Sequence, residues 1–137
     1  MMKEQMYFFD MIGFLILVAL VWIFTPAGTR FYAGMTLMGV SFVIWVMARL
    51  QLGASFSLTA DARKLITTGL YSRIGNPIYV FGQLSYLGLA IAWGRVAGYV
   101  IVALMVPMQM ARARKERAVL EQAFGDEYRA YKARIWF

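Results

Sequence analysis

The sequence predicts an all-α integral membrane domain, and three observations carry that reading. Of 137 residues, 61% are hydrophobic and 15% charged, against roughly 45 to 50% apolar and 25% charged in soluble domains. Four almost uncharged runs of about 17 residues each approach the length a helix needs to cross about 30 Å of hydrocarbon. Finally, 12 of the 14 Lys and Arg fall outside the two shortest connections. By the positive-inside rule this places both termini and the one long loop in the cytoplasm, and a bacterial inner membrane is the expected location.

The first run spans Tyr7 to Phe24 and is interrupted only by Asp10, expected as a solvated acid in the first turn, where the helix dipole favours it. A cleaved leader fits poorly: Lys3 is offset by Glu4, and Thr25-Pro26-Ala27-Gly28 is not a small-residue cleavage site. After a tight turn from Thr25 to Arg30 comes the second run, Phe31 to Ala48, then a long loop from Arg49 to Asn76. The third and fourth runs, Pro77 to Trp93 and Val96 to Ala111, are separated by Gly94-Arg95 alone. Gly34, Gly39, Ser41, Gly82, Ser85, Gly88, Gly94 and Gly98 are expected to let the spans approach closely. From 112 to 132 the tail is rich in Ala, Arg, Glu, Leu and Lys and predicts a separate cytoplasmic helix. Its stripe is Leu120, Phe124, Tyr128 and Tyr131, with Glu116 one turn earlier on the buried face and Arg112 as a possible partner. Residues 1–137 read as one domain.

Several chemistries are excluded by composition. The chain has no Cys and no His, so thiolate sites, imidazole bases and the usual zinc ligands are missing, and no metal is expected. The net charge of +7 does not indicate nucleic acid, because the basic tail is interleaved with Glu116, Glu121, Asp126 and Glu127; contact with membrane lipid accounts for it. In the loop, Asn76 before Pro77 fits a helix start, with the Asn76 side chain as cap and free N–H groups facing any anionic ligand group.

Two patches, Gly69, Tyr71, Pro77 and Tyr79 in the loop, and Glu116, Leu120, Phe124, Gly125, Tyr128 and Tyr131 in the tail, together resemble the isoprenylcysteine carboxyl methyltransferase and phospholipid methyltransferase superfamily of integral membrane enzymes. The resemblance runs from about Leu65 to Tyr131. It departs from the family pattern twice: Gly75-Asn76 stands where Arg-His is usual, and Glu116-Arg117 where a Glu-Glu pair is usual. What it implies is methyl transfer from S-adenosylmethionine to a lipophilic acceptor, either a prenyl-cysteine-like carboxylate or a lipid amine. It further implies a cofactor site of Tyr71, Asn76, Pro77, Tyr79, Glu116 and Phe124. Catalytic roles fall to Glu116 and Tyr79, with Arg73 or Arg117 replacing the cation lost at Gly75; Arg117 alternatively pairs with Glu121 in solvent. Two other classes stay open: a catalytically silent membrane relative, and a lipid reductase with a similar helical hairpin.

Overall fold

A computed structural model describes residues 2–57 and 69–136. The basic residues Arg63 and Lys64, and Leu65, where the resemblance begins, lie outside the described residues. The regular structure among the described residues is all helical, with α1 Met2–Phe24, α2 Thr29–Ser57, a 3-10 turn Gly69–Ser72, α3 Pro77–Trp93, α4 Val96–Phe124 and α5 Asp126–Arg134. Two of these, Thr29–Gln51 within α2 and Val96–Phe124, are long and apolar enough to cross a membrane, while Phe8–Phe24 and Pro77–Trp93 are shorter apolar helices.

Helix α3 begins and ends where the sequence indicates, and α4 begins there too. Pro77 occupies the first turn of α3, where its missing N–H costs nothing, and Gly94 closes the helix in the left-handed region at φ 71°. Three expectations change. The second helix does not stop at Ala48 but runs on to Ser57, so the long loop is shorter than predicted. The fourth helix passes straight through Ala111 to Phe124; the tail is no separate helix over 112–132, and the chain turns only at Gly125, with φ 53°. Charged residues beyond a membrane boundary stop the hydropathy but not the helix, because Ala, Arg, Lys and Glu all propagate it well. Lastly, α1 starts at Met2, so Asp10 sits about two turns into it and not in its first turn.

Close approach of α2 and α3 organises the bundle. A Cβ on Gly88 would come within 2.9 Å of the Met38 backbone and the Gly34 carbonyl, and one on Gly34 would collide with the backbone of Gly88 and Ala92. Rising residue numbers on α2 meet falling ones on α3, so the two run antiparallel. Gly98 packs α4 beneath Trp93 and Ala90 in the same way, and Ser41 and Ser85 are buried in the bundle. Gly39, by contrast, faces open space, and Gly94 serves the cap of α3 beneath the guanidinium of Arg30. Apolar packing then ties in α1: Phe14, Met38 and Leu89 form a buried cluster, with Val18, Val21, Met35, Phe42 and Tyr86 against it.

Candidate functional site

The hydroxyl of Tyr79, in the first turn of α3, donates to Oε1 of Glu116 on α4. Helical side chains lean toward their own N-terminus. Tyr79 therefore leans out of the bundle, and Glu116, on the antiparallel neighbour, leans back toward it. Nearer the other end of the hairpin the two helices lie closer, where Gln83 Nε2 donates to the Val102 carbonyl at 2.7 Å. Glu116 is exposed, a correction to its expected place on a buried stripe. Its charge also reaches Tyr71, whose phenol is raised well above its ordinary range, first by burial, then by Tyr131 and Glu116, against an opposing pull from Arg49.

A cavity of about 270 Å³ adjoins the Tyr79–Glu116 pair, with Tyr79 in its lining and Glu116 outside it. Tyr79, Tyr86 and Gly82 line it from α3, and Met105, Met108, Gln109 and Arg112 from α4. The remaining walls come from helices for which sequence reasoning assigned no role: Asp10 and Phe14 on α1, and Phe42, Trp45 and Arg49 on α2. Asp10 is exposed, as expected of a solvated acid, and also stands at the wall of the cavity. The Arg49 guanidinium stacks 5.3 Å from the centroid of Trp45, which in turn stacks on Phe42. A charge on the last turn of a long apolar run gives no local sign of such a role, which is why Arg49 escaped notice.

Around Tyr71 the patch residues do structural work. Tyr71 is buried, its hydroxyl donates to the Ala48 carbonyl at 3.3 Å, and its own carbonyl accepts from the Tyr131 hydroxyl at 2.6 Å. Gly69, at φ 63°, lies against the Gln51 side chain, whose Oε1 accepts from the Leu70 N–H at 3.0 Å. The loop is thereby pinned between α2 and α5. The expected apolar stripe exists, but folded around Gly125: Leu120 and Phe124 at the end of α4 pack on Tyr128 and Tyr131 of α5. Phe124 therefore belongs to this cluster. Arg129 braces the turn with bonds of 3.1 Å to Glu121 and 2.9 Å to Asp126.

Asn76 precedes α3 as expected, yet its side chain makes no cap hydrogen bond; only its carbonyl enters the helix, accepting from Val80 at 3.2 Å. The first-turn N–H groups of Ile78 and Tyr79 consequently lie before the first intrahelical acceptor. Pro77 is fully buried. The two candidate cations go elsewhere. Arg73 stacks 5.5 Å from the Trp136 ring centroid while its carbonyl accepts from the Trp136 N–H at 2.7 Å. Arg117 is half-buried and its charge acts on Tyr128, and Glu121 takes Arg129 in place of the anticipated Arg117.

The family model for phospholipid methyltransferases matches residues 29–127. The chain belongs to the phospholipid methyltransferase family. The match takes in α2, for which the patches alone gave no likeness, and stops short of Tyr131; α1 lies outside it. Membership makes a methyltransferase with a lipid-related substrate the family expectation, and with two spanning-length helices it associates the chain with a membrane. No curated protein and no solved structure shows significant similarity.

Docking of α5 carries its own expected result. Burial, then neighbouring Tyr128, pushes the Tyr131 phenol up to about 12, against a smaller opposite pull from Arg134. Between about pH 10 and 12 the folded state therefore holds more protons than the unfolded chain, so this contribution is intact below pH 10 and is lost as pH climbs. Tyr131→Phe should lower stability at pH 8 by about 0.5 to 1.5 kcal/mol through the lost hydrogen bond. It should also flatten the loss above pH 10, read as melting temperatures in detergent from pH 8 to 11.

Proposed function

We propose that the chain transfers a methyl group from S-adenosylmethionine to a lipophilic, membrane-soluble acceptor, with the cofactor held from the cytoplasmic side around Tyr79 and Glu116. The observation that carries this is the hydrogen bond joining Tyr79 to Glu116 at the head of a cavity running between four helices. The residues present fit the cofactor's polar end. Glu116 is an exposed carboxylate suited to accept from its ammonium. The uncommitted Asn76 side chain and the N–H groups of Ile78 and Tyr79 are suited to donate to its carboxylate. When bound, S-adenosylmethionine supplies an electrophilic methyl on a sulfonium.

The protein's task is then orientation, which is worth several kcal/mol in an in-line displacement. Tyr79 has two parts in this: its hydroxyl fixes Glu116, and its ring forms part of the cavity wall. The acceptor enters from the bilayer into the apolar part of the cavity, bounded by Phe14, Phe42, Met105 and Met108. Tyr71 supports the site from behind, through Ala48 and Tyr131. Calorimetric titration of detergent-purified protein with S-adenosylhomocysteine tests the reading: saturable binding is expected, and none would overturn it.

The same reading places four spans in the membrane with both ends cytoplasmic, supported by the distribution of basic residues. Reporter fusions at residue 28 and after residue 137 should fall on opposite sides; the same side for both would overturn this topology.

A further inference from the structure

We propose that Trp136 and Arg73 form a membrane-surface anchor, in which the indole seats in the headgroup layer of the cytoplasmic leaflet and the guanidinium meets the phosphates of anionic lipids. This rests on the topology read above and not on methyl transfer. Trp136 lies outside the family-matched residues 29–127.

The fold brings the pair back to the bilayer. Beyond Ala111, where the fourth apolar run ends, α4 continues to Phe124, about 20 Å of helix. The chain turns at Gly125 and α5 returns it: the Tyr131 hydroxyl donates to the Tyr71 carbonyl, and the Trp136 N–H donates to the Arg73 carbonyl at 2.7 Å. Residues 69–76 are tied in turn to the ends of two spans, through the Tyr71 hydroxyl to Ala48 of α2 and through Pro77 into α3. Trp136 therefore lies near the level at which the second and third apolar runs stop, and not at the far tip of α4.

Its surroundings fit a lipid headgroup layer. The ring is 68% exposed, with the Arg73 guanidinium 5.5 Å from its centroid, and Arg73 is itself exposed. An indole, apolar in body with one N–H donor, is the side chain that settles at membrane interfaces, and a guanidinium matches a phosphate with its planar fork of donors. The charge around the pair has one sign. Neither 69–76 nor 128–136 contains an acid, and between them they carry Arg73, Arg129, Lys132 and Arg134. Arg129 is engaged by Glu121 and Asp126. An anionic leaflet is the complement of such a surface, whereas a second copy of the chain would bring the same positive charge to it. Because Trp136 holds the Arg73 carbonyl just ahead of Asn76, seating the anchor also steadies the entry into α3.

Tryptophan fluorescence of the protein in lipid nanodiscs tests this, with the Trp136 and Trp22 contributions taken as differences from Trp136→Phe and Trp22→Phe. Trp22, exposed on α1 within the first apolar run, reports whether the spans lie in the bilayer. Lipids brominated high on their acyl chains should quench both. Trp136 should be shielded from acrylamide, and the shielded fraction should rise when phosphatidylglycerol is added to phosphatidylcholine. Arg73→Gln should cut the ratio of shielded to accessible Trp136 about fivefold in the anionic discs, the size of one basic contact at such a surface, with Arg73→Lys close to wild type. A Trp136 open to acrylamide in both lipids while Trp22 is quenched would overturn the anchor and leave the topology standing, and an unchanged ratio in Arg73→Gln would overturn it equally. Shielding that persists in detergent and rises with protein concentration would overturn it in favour of a second copy. If the bromines leave Trp22 untouched, the topology falls and the anchor with it.

Discussion

Replacing Glu116 by glutamine is expected to weaken S-adenosylmethionine binding by about 1.5 to 3 kcal/mol, roughly 10- to 150-fold, the range for a hydrogen bond to a charged group. The change keeps the side chain's shape and removes its charge. Tyr79 can still donate to the remaining amide oxygen, so the wall of the cavity should hold its geometry while the cofactor's ammonium loses its counter-charge. Asn76→Ala should cost less, because the N–H groups of Ile78 and Tyr79 stay in place as donors. Titration calorimetry on the two variants checks both statements. An unaltered affinity for Glu116→Gln would reduce that carboxylate to an exposed surface charge and remove the cofactor site from this end of the hairpin.

Gly88→Val is expected to be strongly destabilising, at about 3 kcal/mol or more, the upper part of the range for overpacking. The atoms in its way are backbone atoms, the Met38 amide and the Gly34 carbonyl, which cannot step aside as a long side chain would. Gly39→Val is the matched control, since a Cβ there meets nothing within 4 Å. Melting curves in the same detergent should show a large drop for Gly88→Val and a much smaller one for Gly39→Val. Comparable drops would mean that β-branched residues are poorly tolerated anywhere in these helices and that the contact between α2 and α3 is not special.

Helix α3 and the turn into α4 were legible to the residue because Pro77 and Gly94 are chemical punctuation: one cannot donate, the other can adopt positive φ. The far ends of α2 and α4 were not, since hydropathy marks where an apolar surface stops and says nothing of the backbone. At the site, Tyr79 and Glu116 stood out as members of two dense patches, and they do meet. Tyr71 and Tyr131 stood out for the same reason, yet their polar groups serve the docking of α5 on the loop. Sequence density thus marked a junction without separating its structural members from its chemical ones. Asp10, Arg49 and Gln109 were missed as site residues because each reaches the cavity from a different helix, and no local spacing relates them.

Helices α2 and α3 touch backbone to backbone at Gly34 and Gly88, while Tyr79 and the cavity lie toward the opposite end of α3. From Gly88 to Tyr79 is about 14 Å of helix. At that contact the spacing of the two helices is set by backbone atoms alone, and nearer the cavity Gly82 of α3 lies against the Trp45 ring of α2. The width of the cavity between α2 and α3 is therefore fixed by residues that have no side chain to fold aside, so a bulkier tail has to be accommodated on the α1 and α4 walls.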